Sequence, residues 1–427
     1  MPVKTIVLGS GAREHALVRG LAADPDVTAV IAAPGNPGMA ALAVLASVDI
    51  LDPDAVVALA REHAADLVVV GPEAPLVAGV SDALRGAGFD VFGPSAAAAR
   101  LEASKSFAKE IMAVAGVPTA MAHVCSTLEE VAAALDAFGA PHVVKDDGLA
   151  AGKGVVVTDS RGDALAHAAA CLGKENGRVV VEDFLDGPEV SVFCVCDGQT
   201  VLPLEPSQDF KRIGDGDAGP NTGGMGAYSP LDWAPRELTD FVHERIAQPV
   251  VDEMAHRGTP FVGILYVGLA ITSRGPRVVE FNARLGDPDG QVVLARLRNP
   301  LGALLLAAAR GRLEEIGRLT WSPRYAVDVV LAAQGYPGAV RSGDVITGLD
   351  RAAAESPDAW VLHAGTARGE AGAIVSSGGR VLNVVALGDD LTAARRLAYR
   401  ALKRIGLPGG QHRTDIAERA ELGQIVL

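Results

Sequence analysis

The sequence predicts an α/β protein with a parallel-sheet N-terminal domain, a central region organised around glycine-rich loops, and a smaller α+β C-terminal domain. Three observations carry this. Residues 3–92 alternate strand and helix patterns in β-α-β-α-β order, which implies a parallel sheet with helices on both faces. The chain has 427 residues, too many for one hydrophobic core. A glycine-rich run, "KDDGLAAGKGVVV" at 145–157, lies between two valine-rich strand patterns.

Composition narrows the function classes. Hydrophobic content of 49% with interspersed charge indicates a folded chain. The net charge of −14, with no long run of one sign, argues against a nucleic-acid or anionic-membrane surface. No apolar stretch reaches membrane-spanning length, and "MPVKTIVL" (1–8) reads as a strand rather than a signal peptide. The four cysteines lack metal-type spacing, and so few fit a reducing compartment. A cytoplasmic protein, monomeric or weakly dimeric, is expected. Only eight of 38 basic residues are lysine, so a lysine kept in a glycine-rich motif suggests a need for a compact ammonium.

Along the chain, "VKTIVL" (3–8), "VTAVIAA" (27–33), "DLVVV" (66–70) and "FDVFG" (89–93) read as strands, with helices at 12–23 and near 53–64 and 76–86. The loops 9–15, 33–38 and 71–75 follow strand carboxyl ends, where such sheets bind ligands. "GSGARE" lacks the third glycine of a dinucleotide fingerprint, and the second strand ends in Ala32-Ala33 with no acid for a ribose. It reads better as a strand-to-helix turn whose 9–13 amides, with Arg13 adjacent, meet a phosphate.

Two helices at 93–118 precede the 145–157 run. Its spacing is not that of a Walker loop: three residues separate Gly148 from Gly152, and Gly154 follows Lys153. Flanked by strands at 143–144 and 155–157, it reads as a hairpin flap over phosphates, with Lys153 facing them and Lys145 approaching from the strand. Residues 177–198 read as two strands around a bend. "SQDFKRIGDGDAGPNTGGMGAYSP" (207–230) reads as a long functional loop without secondary structure, its chemistry supplied by Asp209, Lys211, Arg212, Asn221 and Thr222. In "PRVVEFNARLGDPDGQ" (276–291), Glu280 and Asn282 share one strand face while Val279 and Phe281 point into the core. A carboxylate and an amide oxygen two apart suit magnesium, and Arg284 suits an anionic substrate or a transferring phosphoryl group. Residues 325–427 read as strands plus an amphipathic helix, with "LHAGTA" (362–367) able to reach a site.

Taken together, these stretches resemble the ATP-grasp ligases. "REHAL", "APGNPG", "VGPEAPLVAG", "LEASKSF", "DGLAAGKGV", "EDFLDGPE", "PNTGGMGAYSP", "VVEFNARLGDPD", "GYPG" and "HAGT", in this order, resemble the glycinamide ribonucleotide synthetase family (phosphoribosylamine–glycine ligases) from end to end. The resemblance implies a substrate-binding domain at 1–103, an ATP-grasp domain at 104–324 with a mobile lid subdomain of about 119–192, and a C-terminal domain at 325–427. It implies ATP and Mg2+ or Mn2+, and ligation of glycine to 5-phosphoribosylamine through glycyl phosphate in purine biosynthesis. Lys105, Lys145, Gly148, Gly152, Lys153, Gly154, Glu182, Leu185 and Glu189 would bind ATP, and Glu280 and Asn282 the metal. Gly11, Arg13, Asn36, Gly38, Glu73, Asn221, Thr222 and Asp287 would bind substrate, with Arg284, Lys211 and Asp209 catalytic. The chain departs from the pattern at Ala12, Asp146, Phe210 and Asp289, and the roles of Asp146 and Asp289 stay open. Three rivals remain: an ATP-grasp carboxylate ligase for another acid, a nicotinamide-dependent oxidoreductase, and a non-catalytic nucleotide sensor, which would need a disabled metal site whereas Glu280 and Asn282 are both present.

Overall fold

The structure is a computed structural model that describes residues 3–148 and 154–427. Gly152 and Lys153 lie outside the described residues.

The N-terminal sheet contains β1 (Val3–Gly9), β2 (Val27–Pro34), β3 (Val44–Leu45), β4 (Leu67–Val70) and β5 (Asp90–Phe92). They run parallel in the order β3-β2-β1-β4-β5. Continuous apolar strands such as "LVVV" are what a sheet covered on both faces requires, and β4 is buried throughout. The helical run expected near 76–86 is two helices, Glu73–Val77 and Val80–Gly86. Gly79, at φ +83°, breaks them, a conformation that glycine adopts without penalty.

A second, antiparallel sheet has the order β6-β9-β7-β8, from β6 (Ala122–Cys125), β7 (His142–Asp146), β8 (Val155–Thr158) and β9 (Val179–Glu182). β7 and β8 pair as expected for a glycine-rich hairpin, Lys145 opposite Val155. A third sheet runs β11-β10-β16-β17, from β10 (Glu189–Asp197), β11 (Val201–Pro203), β16 (Val262–Thr272) and β17 (Gly275–Asn282). The two strands read around one bend at 177–198 are thus in different sheets, and residues 183–188 carry the chain between them.

The 207–230 segment, expected without secondary structure, holds β12 (Gln208–Asp209), β13 (Arg212–Gly214), β14 (Ala218–Asn221) and β15 (Gly226–Ser229). β13 and β14 form a small hairpin. β12 and β15 join β18 (Tyr325–Ala332), β19 (Ala359–His363) and β22 (Arg380–Gly388) in a sheet of order β12-β15-β18-β22-β19. β20 (Thr366–Arg368) and β21 (Ile374–Ser376) pair apart from it. Strands of two to four residues carry no readable alternation. β15 and, through it, β12 are strands because β18, nearly all buried, supplies the apolar partner. No described helix is long and apolar enough to cross a membrane.

Candidate active site

The Gly11 amide, expected to meet a phosphate, donates to Glu14 Oε2 at 2.7 Å. Glu14 is buried and fills the turn, since a Cβ on Gly71 would lie 2.3 Å from its Oε1. Arg13 Nε donates to the same carboxylate at 2.6 Å, and its Nη1 donates to Leu285 O at 3.0 Å. Arg13 thereby ties the N-terminal domain to the segment after β17.

Asn36 and Gly38 also serve the framework. Asn36 Nδ2 donates to the carbonyls of Ser10 (2.9 Å) and His363 (2.8 Å), and its Oδ1 accepts from Gly38 N at 3.0 Å. Gly38 packs on the ring of His363, where a Cβ would come within 2.5 Å. Gly11, Asn36 and Gly38 do not line the principal cleft.

That cleft, of about 940 Å³, lies where the three larger sheet assemblies converge. It brings together the other described site candidates. Lys105, Lys145, Gly148, Gly154, Glu182, Leu185 and Glu189 line one part. Arg13, Glu73, Asp209, Lys211, Asn221, Thr222, Glu280, Asn282, Arg284 and Asp287 line the rest.

Lys105 and the buried Lys145 form its cationic side, with Lys109 beside them. Ser104 caps the helix Lys105–Val114, its hydroxyl accepting from Phe107 N. This sets Lys105 at the first helical position, where its Nζ donates to Gly148 O at 3.1 Å. Lys145 Nζ lies 2.8 Å from Glu182 Oε2 and donates to Val279 O at 3.0 Å, while Lys109 Nζ lies 3.0 Å from Glu182 Oε1. Burial alone would raise the Glu182 carboxyl, but Lys145 and Lys109 hold it below the usual range. Burial lowers Lys105 and Lys109. Asp146, the unexpected acid beside this cluster, pairs with Lys174, so its charge is met away from the cleft.

β17 departs from simple alternation. Its register against β16 slips between Gly268–Glu280 and Leu269–Val278, leaving Val279 bulged. Val278 and Phe281 therefore enter the core, whereas Val279, expected there, lines the cleft. Glu280 and Asn282 still reach the cleft together. One terminal atom of the Asn282 amide lies 3.2 Å from both Glu102 Oε1 and Phe281 O; since both neighbours only accept, hydrogen bonding assigns that atom as the nitrogen, with the oxygen facing away from the acid. One carboxylate and one amide oxygen are hard donors that fit a Mg2+- or Mn2+-sized cation, its other ligands coming from phosphates and water. Among the described residues no cluster of three His, Cys, Asp or Glu forms a self-contained metal site.

Arg284 Nη2 lies 2.8 Å from Glu102 Oε1 and its Nε 3.4 Å from Glu73 Oε2. Burial opposes its charge, but the two carboxylates hold the guanidinium above its ordinary value. Beyond it, Lys211 pairs with Glu189. Burial would depress the Lys211 ammonium, yet Glu189 and Asp209 keep it well above the ordinary value. Burial pushes the Asp209 carboxyl up to about 7, against Lys211 and with help from Asp289. Asp289, buried at the start of the helix Asp289–Arg296, is raised by burial despite a hydrogen bond from Ser191.

Residues that no motif pointed to complete the site. Glu102 sits inside the quoted "LEASKSF", but a single acid in a helix gives no signal. Arg380, from the C-terminal sheet, donates to Gly223 O at 2.6 Å and lies 3.3 Å from Asp287 Oδ2. Only the fold brings it to the cleft.

A hairpin over a lysine-lined cleft between two sheets, with Glu and Asn two apart on the facing strand, defines an ATP-grasp enzyme. Family profiles described as "Phosphoribosylglycinamide synthetase" match the chain as an N domain over residues 3–102, an ATP-grasp (A) domain over 103–290 and a C domain over 326–419. The phosphoribosylamine–glycine ligase of Streptomyces coelicolor is 65% identical over 98% of this chain and 99% of its own length. That of Mycobacterium tuberculosis is 57% identical over 99% of this chain and 100% of its own. The crystal structure of the Thermotoga maritima phosphoribosylamine–glycine ligase superposes with a TM-score of 0.82 at 33% identity, covering 97% of this chain and 100% of that one. A Campylobacter jejuni biotin carboxylase shares the fold alone, with a TM-score of 0.71 at 14% identity. The chain belongs to the phosphoribosylglycinamide synthetase family.

Proposed function

We propose that the protein joins glycine to 5-phosphoribosylamine at the expense of ATP, giving glycinamide ribonucleotide, ADP and phosphate. The observation that carries this reading is the convergence of Lys105, Lys145, Glu280, Asn282 and Arg284 on one cleft that Arg13 and Glu73 also line.

A carboxylate is a poor electrophile, so glycine must first gain a leaving group. Its carboxylate oxygen attacks the γ-phosphorus, the bond to the β-phosphate oxygen breaks, and ADP leaves. The amine of phosphoribosylamine then attacks the glycyl carbonyl, and phosphate departs with the oxygen that glycine contributed. Little covalent chemistry falls to the protein, which positions the reactants and neutralises spreading charge. Lys105, Lys145 and the flap residues Gly148 and Gly154 face the phosphates. Glu182 and Leu185 meet the base, and Glu189 the ribose. Glu280 and Asn282 would hold a divalent cation, which would supply charge neutralisation at the phosphates.

Arg284, held between Glu73 and Glu102, presents a fixed cation to the glycine carboxylate or the acyl phosphate. Asp209, with its raised carboxyl, is suited to take the proton that the attacking amine sheds. Arg13, Asn221, Thr222 and Asp287 remain for the ribose phosphate and amine. Four buried free cysteines fit a reducing cytoplasm.

ADP release with Mg-ATP, omitting glycine or phosphoribosylamine in turn, tests the reading. ADP is expected only with both, and not from Glu280→Ala. ADP formed without glycine, or with another acid in its place, would assign the cleft to a different ligase.

A further inference from the structure

We infer that Glu102 is a positioning residue which sets the orientation of the Asn282 amide and so makes Asn282 a metal ligand. This rests on the metal reading above.

Glu102 lies near the end of the helix Ala96–Ala103, two residues before the cap of the Lys105 helix. Its side chain is 7% exposed. The carboxylate serves three consecutive residues. Oε2 accepts from Ala283 N at 2.7 Å. Oε1 meets Arg284 Nη2 at 2.8 Å and lies 3.2 Å from one terminal atom of the Asn282 amide, which its two acceptor neighbours, Glu102 Oε1 and Phe281 O, assign as the nitrogen. Every partner is a donor, so an ionised carboxylate, an acceptor at all its lone pairs, matches the set. An amide side chain has two nearly isosteric orientations, and its neighbours decide between them. Here a wall that only accepts takes the nitrogen, and the Asn282 oxygen is left for the cleft. The same carboxylate anchors the backbone just after β17 and one side of Arg284, so the metal ligand and the cation are fixed by one group.

Glu102→Gln separates this role from a merely structural one. The glutamine keeps an acceptor for Ala283 N but turns a donor toward Asn282 and Arg284. Asn282 then turns over and presents its NH2 to the cation. Mn2+ binding to the protein with saturating ADP, titrated by the paramagnetic signal of free Mn2+, is expected to weaken about 10- to 100-fold. ADP binding without metal is expected to change little. Combining Glu102→Gln with Asn282→Asp is expected to restore Mn2+ binding, because a carboxylate offers an oxygen in either orientation. A packing defect would not be rescued this way.

Glu102→Asp keeps the charge opposite Arg284 but is too short to reach all three donors. It covers the case in which the glutamine variant does not fold, and is expected to lose Mn2+ affinity in the same direction. Glu280→Ala and Asn282→Ala are the controls. If both bind Mn2+ as the parent does, the metal reading itself falls. If they lose it while folded Glu102→Gln or Glu102→Asp stays within twofold of the parent, or if Asn282→Asp gives no rescue, the role of Glu102 is overturned.

Discussion

Lys145 Nζ stands 2.8 Å from Glu182 Oε2 at a place where both side chains are about 95% buried. With Lys109 on the other oxygen, Glu182 neutralises Lys145 of the cleft and Lys109 beside it at once. Removing one partner of a buried pair leaves charge uncompensated and costs about 3–5 kcal/mol. Glu182→Leu is therefore expected to lose stability on that order in urea unfolding. Glu182→Gln is expected to lose less, and to raise the KM for ATP more than it lowers kcat.

Glu280 supplies the charged oxygen of the proposed cation site. Glu280→Gln preserves shape and one acceptor but removes the charge. Its activity is expected to fall on the order of 100-fold while the melting temperature holds, read by steady-state kinetics at several Mg2+ concentrations. Activity independent of Glu280 would remove this residue from the metal site.

Arg413, 1% exposed, clamps the β13–β14 hairpin to the C-terminal domain. It pairs with Asp217 at 2.7 Å and Asp415 at 2.6 Å, and lies over Phe210, 4.9 Å from the ring centroid. Phe210 thus has a packing partner that the sequence did not suggest. Arg413→Ala is expected to cost about 2–4 kcal/mol and to raise the KM of phosphoribosylamine, because Asn221 loses its support.

His15 and His363 are buried against each other behind Gly38, with ring centroids 5.9 Å apart. Burial, then the neighbouring His363 and Arg19, lowers His15 to about 3, and burial lowers His363 to about 4. A depressed folded value means that stability present above pH 6.5 is lost as pH falls toward these values. Denaturant midpoints are expected to drop between pH 6.5 and 4, with His363→Gln flattening the profile by on the order of 1–3 kcal/mol.

Asp328 and Asn383 are fully buried partners, Asn383 Nδ2 donating to Asp328 Oδ2 at 2.8 Å. Oδ1 of each lacks a hydrogen-bond partner among the described residues. Burial raises the Asp328 carboxyl well above its ordinary 3.8. A raised folded value gives stability that is fully present below pH 3.8 and lost as pH rises. Asp328→Asn is expected to match the parent near pH 4 and exceed it at pH 8 by on the order of 1–3 kcal/mol, measured by thermal unfolding.

Much of this was legible because it is local. The N-terminal strands are continuous apolar runs, the 145–157 run sits between paired valine strands, and Glu280 and Asn282 declare themselves by spacing. What was not legible depends on distant partners. β15 is a strand because residues 326–329 lie beside it. The bulge at Val279 comes from register against β16. Glu14 closes the first turn by reaching back over glycines, so its carboxylate meets the Gly11 amide. Glu102 and Arg380 are single charges whose significance is set by what the fold carries to them.

In the proposed reaction ATP activates glycine as an acyl phosphate in this cleft. Glycine carrying 18O in both carboxylate oxygens, turned over with Mg-ATP and phosphoribosylamine, tests it most directly. One 18O per turnover is expected in inorganic phosphate, with the other retained in the amide of the product and none formed by Glu280→Ala. Phosphate free of label, or label in ADP, would contradict it.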